Sequence, residues 1–383
     1  MAENALRFGA DKPLAVITTM TRWDEPPRIR HQVTRQLTRF YNVLYVELIY
    51  SAAGDPESVR HIADDLIVCR PAGLPWLTRK LRNNVAVFRR LCNGGYARRI
   101  ESIVRRLGYE RAVLVNFQFD FPEIMRSQLF QPRLYLCNDE FQTQSRPWVR
   151  ALNRHAEEEV IRRADISLAV STPLLEKLQR CAARAMLFLP GHEFDVDETS
   201  GRTAPAARGG RAIRACYMGF INDRLRADWL LRLSAEPGVT LSLIGLVENE
   251  QLYAELLARD NVEHLGTLVG AELRERMSGC DVFIMPYDIS QTVVRVITAP
   301  NKLFQYLACG RPVVCANLPN LLPLPDKFVY TASDAEQFVR ALHVAVEEDS
   351  AALAAARVAY SARNTWRVRG DQLRDIIEGG AAT

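Results

Sequence analysis

The chain has 383 residues, 48% of them hydrophobic and 25% charged, with 20 Gly and 19 Pro. At roughly 100–200 residues per domain this is material for two or three domains with buried cores, and it excludes a disordered, collagen-like or coiled-coil protein. The net charge of +4 hides an uneven distribution, because residues 70–111 sum to +9 and the rest of the chain to −5.

Taken in chain order, the opening MAENALRFGADKP lacks the basic start and apolar middle of a signal peptide, and no apolar run approaches the roughly 18–20 residues of a spanning helix. A cytoplasmic protein is expected. Short β-rich runs follow one another, separated by helical stretches: PLAVITTM, NVLYVELIY, DLIVCR, RAVLVNF, RLYLCND and ISLAVST, then RACYMGF, VTLSLIG, NVEHLG, DVFIMPY and RPVVCAN. Such alternation predicts an α/β fold with parallel sheets covered by helices on both faces. From Glu198 to Gly210 the sequence ETSGRTAPAARGG is small, polar and Gly/Pro-bearing, as interdomain linkers are. The expected division is residues 1–197, a linker at 198–211, a second domain at 212–360 and a C-terminal helix at 361–383 that crosses back to the first domain. Two doubly wound units would then face a cleft, with ligands at the carboxyl ends of the strands.

The basic stretch carries interleaved apolar residues. A helix from Trp76 to Leu91 would align Leu77, Leu81, Val85 and Phe88 in one stripe flanked by Arg79, Arg82, Arg89 and Arg90. Either it lies on an anionic membrane surface, docking the protein peripherally, or its stripe faces the core with a solvated basic back. Nucleic acid is not expected as a partner, since the rest of the chain is acidic and no binding motif appears. The cysteines, Cys69, Cys92, Cys137, Cys181, Cys216, Cys280, Cys309 and Cys315, form no C-x-x-C pair and read as reduced, mostly buried thiols.

Two segments of the second half suggest phosphate chemistry. Gly219, in the turn after RACYM, lets backbone approach an anion before the helical ADWLLRLSA. Further on, Pro300 suits a first helical turn, Asn301 to Leu307 a helix, and Gly310 its end, which puts Lys302 at the helix start as a cation for a diphosphate without a metal. A solvated surface charge is the alternative for Lys302.

Here the second half resembles the donor domain of GT-B glycosyltransferases: Y-M-G-F, L-I-G, N-V-E-H-L-G, D-V-F-I-M-P-Y and P-N-K-L-x-Q-Y-x-A-x-G-x-P-V-V recur in order over most of residues 212 to 345. The spacing of Tyr287, Lys302 and Gln305 is similar to the membrane-associated glucuronosyltransferase of xanthan assembly and related bacterial exopolysaccharide enzymes. The resemblance implies two Rossmann-like domains, a nucleotide-sugar donor, expected in UDP-linked form, and a polyprenyl-linked or polysaccharide acceptor at the inner membrane face. It assigns Met218, Gly219, Phe220, Arg224, Tyr287, Asn301, Lys302 and Gln305 to the donor. Retaining members carry two Glu where this chain has Ile297 and Gln305, so inversion is expected. That requires a base, for which Asp139 after RLYLCN is the first candidate and Asp24 in T-R-W-D-E-P-P the second, with Trp23, His31 and Glu140 on the acceptor side. No metal or other cofactor is expected, and Asp195-Val196-Asp197 reads as an exposed turn. A nucleotide-sugar 2-epimerase of the same fold and a non-catalytic sugar-nucleotide-binding subunit are the rival readings.

Overall fold

The computed structural model describes residues 7–9, 11–48, 56–73, 79–140, 146–194 and 210–379. The chain divides into two compact units, Met1–Leu189 with Arg369–Thr383, and Pro190–Val368. The first unit therefore ends before position 197, where the sequence suggests the boundary. Most of the expected linker lies outside the described residues, as do Asp195 and Asp197.

Unit 1 holds strands β1 (Leu14–Thr19), β2 (Asn42–Glu47), β3 (Ser58–Ala63), β4 (Leu66–Arg70), β5 (Ala112–Asn116), β6 (Phe130–Cys137), β7 (Ile166–Ala169) and β8 (Ala185–Leu187). Their order across the sheet is β3-β4-β2-β1-β5-β6-β7-β8, parallel except for the antiparallel pair β3/β4. Every residue of β1, β2 and β5 is buried, because helices cover both faces and no side of these strands meets water. Register aligns Val16 with Leu44 on one side and Leu114 on the other. Ile100, Ile103 and Val104, from the helix Ala86–Arg106, pack into this core.

Unit 2 holds β9 (Ile213–Met218), β10 (Val239–Ile244), β11 (Val262–His264), β12 (Val282–Met285), β13 (Val313–Ala316) and β14 (Val329–Ala332), all parallel, in the order β11-β10-β9-β12-β13-β14. One face packs Trp229 against Phe338 with centroids 5.2 Å apart, and the other stacks Tyr306 on Phe283 at 4.2 Å. Where the chain enters and leaves this unit it is clasped to itself. His192 bridges Thr365, Trp366 N donates to the His192 carbonyl at 2.9 Å, and a Cβ on Gly191 would come within 2.7 Å of that backbone. The helix Trp366–Ile377 then runs on, and from Arg369 it belongs to unit 1.

The basic stretch departs from expectation. Instead of one helix over 76–91 there are two, Arg79–Asn84 and Ala86–Arg106, interrupted at Val85, which is extended at φ −128°. Of the expected stripe, Leu77 lies outside the described residues, Phe88 is half-buried and Val85 is exposed. The burial pattern is inverted: Arg82 and Arg89 are inside, while Val87 is 66% and Leu91 51% exposed. The cause is a set of acceptors that need donors. Arg82 pairs with buried Asp120 at 2.9 Å and donates to Asn93, and Arg89 caps the Arg82 and Asn83 carbonyls left open by the helix end.

Candidate functional site

In unit 2 the strand order reverses about β9, which lies between β10 and β12. Such a switch point opens a crevice beyond the strand ends, and the chain there runs Met218-Gly219-Phe220 after β9 and Pro286-Tyr287 after β12. Gly219 adopts φ +134°, and a Cβ on it would lie 2.6 Å from Lys302 Nζ. Only glycine permits that backbone and that approach. The two loops are tied together, because Arg226 N donates to the Pro286 carbonyl and Asp288 N to the Arg224 carbonyl, each at 2.8 Å. This sets Arg224 beside Tyr287. Met218 N donates to Tyr306 Oη at 2.8 Å, while Phe220 stands exposed.

The helix after Gly219 starts at Ala227, as the sequence suggests, and a segment in which Ile221 bridges Val247 separates it from the Gly219 turn. One expectation needs correction. The helix at Lys302 covers only Leu303–Ala308, with Lys302 as its N-cap and Asn301 exposed outside it. Six residues sum to a weak dipole, so the charge available here is the lysine's own.

That lysine is not a solvated surface charge. It keeps some exposed surface, but Nζ donates to Tyr217 Oη at 2.7 Å and lies 3.8 Å from the Tyr217 ring centroid and 5.5 Å from that of Tyr287. Desolvation pushes its pKa down to about 7, against weak opposition from the Cys315 and Cys216 thiols. Gln305 follows on the same helix, half-buried, and Ile297 packs partly into the core. Lys302, Tyr287, Gly219 and Arg224 are thus brought together at one end of the unit 2 sheet, with Gln305 three residues on from Lys302.

Unit 1 distributes its candidates differently. His31 is buried, with Nδ1 accepting from Arg28 N and Nε2 bonded to the Arg22 carbonyl, both at 3.0 Å. Both ring nitrogens are spent on pinning the loop after β1, and burial lowers the ring's pKa, so His31 holds the loop and offers no atom to a substrate. Trp23 lies between His31 and Tyr45, its backbone N donating to Glu47 at 2.8 Å. Asp24 is exposed and paired with Arg60 at 2.8 Å. Beyond β6, Asp139 is half-buried and caps no helix. Its Oδ1 accepts from Glu140 N at 2.8 Å, and its other oxygen makes no hydrogen bond among the described residues. Glu140 reaches Lys177 at 3.2 Å. Lys177 in turn meets the fully buried Glu157 at 2.9 Å, to which Tyr135 also donates at 2.9 Å. Burial opposes the Lys177 charge, but Cys137, Glu157 and Glu140 outweigh it and its pKa is raised.

Sequence reasoning overlooks Tyr217, Glu157 and Lys177. Tyr217 reads as one more apolar strand residue, and only its place directly before Met218-Gly219 hints otherwise. Glu157 and Lys177 lie on different helices, Pro147–Arg163 and Thr172–Gln179, with nothing in their spacing to join them.

The whole chain has the fold of GT-B glycosyltransferases: sucrose-phosphate synthase from Thermosynechococcus elongatus superposes with a TM-score of 0.64 at 14% identity, covering 96% of this chain and 99% of that one. The structure of Anabaena HepE in complex with UDP gives 0.64 at 13%, covering 96% and 100%. Residues 218–348, within unit 2, match the family Glycosyl transferases group 1, and the match opens at the Met218-Gly219 turn. A Bacillus subtilis (strain 168) protein described as a putative teichuronic acid biosynthesis glycosyltransferase, TuaH, is 28% identical over 192 residues. That likeness spans 47% of each chain, about half the length of the relative.

Proposed function

We propose that this protein transfers a sugar from a nucleoside diphosphate sugar, UDP-linked, to a lipid-linked or polysaccharide acceptor in bacterial surface polysaccharide assembly, with inversion and without a metal. The observation that carries the reading is Lys302, an amine held against bare Gly219 backbone at the switch point, where a departing diphosphate develops charge. The UDP complex of HepE and the biosynthetic role given to TuaH support the donor and the pathway class. Tyr287, Arg224 and Gln305 line the same subsite. On the acceptor side Asp139 is the base, its second carboxylate oxygen taking the hydroxyl proton as the acceptor attacks the anomeric carbon. Glu140, neutralised by Lys177, is less suited.

Membrane docking belongs to the same reading. Val87 and Leu91 present an exposed apolar patch within the +9 stretch, beside exposed Arg90, which fits shallow insertion into anionic lipid. No helix among the described residues is long and apolar enough to cross a membrane.

The test is a panel of radiolabelled nucleotide sugars incubated with a bacterial lipid extract in EDTA. Label should enter the lipid phase, and Lys302→Ala should lower the rate by about ten- to a hundredfold, the worth of a charge-assisted hydrogen bond. Interconversion of nucleotide sugars without transfer would mean an epimerase, and binding without any turnover a non-catalytic subunit.

A further inference from the structure

One phenol connects the two halves of the donor subsite. Tyr217 Oη accepts from Lys302 Nζ at 2.7 Å and donates its own proton to the Phe220 carbonyl at 2.9 Å. The ring below it is buried and fixed by β9, whose register with β10 pairs Tyr217 with Leu243. The amine is therefore held over Gly219 by an acceptor that cannot move, and the Gly219-Phe220 turn is held by the same atom.

Among the described residues the amine has no counter-charge. Facing it are Tyr217 and Cys216 from β9, Tyr287 from the loop after β12 and Cys315 from β13, with Tyr306 following on its own helix. Arg224, a cation, acts on Tyr217 and Tyr287. Among the described residues Lys302 makes no ion pair. Aromatic faces and a phenol oxygen steady an ammonium, but they replace lost water only in part.

We propose that Tyr217 is the positioning residue of the donor subsite and that Lys302 waits there as a neutral amine, taking one proton from solvent as the diphosphate arrives. This rests on the reading of the subsite given above. The amine gains a proton, no covalent bond changes, and the ligand's negative charge supplies the missing counter-ion. The pKa of about 7 in the empty site agrees, because a nearby anion must raise it.

Calorimetry with UDP as the probe reads the proton directly. At pH 8.5, where UDP itself is fully ionised, titrations in two buffers of different ionisation enthalpy should show close to one proton taken up per UDP bound. Lys302→Arg, which cannot titrate, should bind with none. Tyr217→Phe keeps the ring and the fold, checked by an unchanged melting curve. It should raise the donor KM about two- to tenfold, the worth of a neutral hydrogen bond, with a smaller change in kcat, and should shift the pH midpoint of UDP binding. No proton uptake by the wild type, together with lost binding in Lys302→Ala, overturns the neutral-amine inference and leaves the subsite standing. A Tyr217→Phe enzyme with unaltered KM and pH midpoint overturns the positioning role. Undiminished UDP binding by Lys302→Ala removes the subsite reading and this inference with it.

Discussion

Lys177 of the first unit and Lys302 of the second both carry an amine partly out of water, and their surroundings drive them in opposite directions. Lys177 has Glu157 at 2.9 Å and Glu140 at 3.2 Å, and its pKa rises. Lys302 has a phenol, two aromatic faces and two thiols, and its pKa falls to about 7. In the first arrangement the protein itself supplies the lysine's counter-charges, which joins Glu140 to Glu157 through one amine. The second is incomplete until something anionic enters. Buried cations of the same chemistry thus separate into structure and site according to whether the protein supplies the counter-ion.

The largest effect should come from breaking the first arrangement. Lys177→Met leaves the buried Glu157 carboxylate without its ammonium counter-charge, at a cost of about 3–5 kcal/mol, seen as a lowered melting transition of unit 1. A melting curve like that of the wild type would mean that hydrogen bonds such as that from the Tyr135 hydroxyl satisfy Glu157 without the lysine.

Removing Lys302 should do the reverse to stability. An unfolded lysine keeps its proton to about pH 10.5, whereas the folded one loses it near pH 7, so between those values the unfolded state binds more protons and wild-type stability climbs with pH. Below pH 7 the penalty is fully present. Lys302→Met therefore stabilises the empty protein most at or below neutral pH, by about 1–2 kcal/mol once residual exposure and the lost Tyr217 bond are discounted, and the gain fades toward pH 10. Melts of both proteins at pH 7 and pH 10 check the sign. A destabilised variant at pH 7 would show that the amine is comfortable where it is.

Smallest of the three is Glu140→Gln. Its pair with Lys177 is partly solvated and Glu157 remains, so stability should fall by less than about 1 kcal/mol and turnover should change little. A steep loss of turnover with an intact fold would transfer the base role from Asp139 to its neighbour.

Much of this comparison is readable in the sequence, unevenly. Tyr287, Lys302 and Gln305 can be picked out because they sit on one local strand, turn and helix, where spacing translates into geometry. The buried strands are likewise visible as apolar runs. Strand β3 is not: SVRHIA lies on the sheet edge with most of its residues exposed, so neither alternation nor an apolar run marks it, and β8 and β14, which end the two sheets and are mostly not buried, are missed as well. The inverted helix is illegible for another reason. Arg82 goes inside because Asp120, in the turn after β5, is buried and needs it, and periodicity within the helix contains no trace of a partner in another element. Residue type alone overvalues His31, since its ring is occupied by two backbone groups of the adjacent loop.

The clasp at His192 and Thr365 has a consequence for how the protein is made. All eight strands of the first sheet precede residue 190, yet that unit is finished only by the segment beyond Val368. Asp371 pairs with Arg39 at 2.8 Å, Arg374 covers the Phe40 ring, and Ile376 meets Phe188 and Leu189 across a small cavity. On a ribosome these residues emerge after the whole of the intervening unit, a delay on the order of ten seconds or more at ordinary elongation rates. Throughout it the first unit lacks the segment that pairs with Arg39 and covers Phe40.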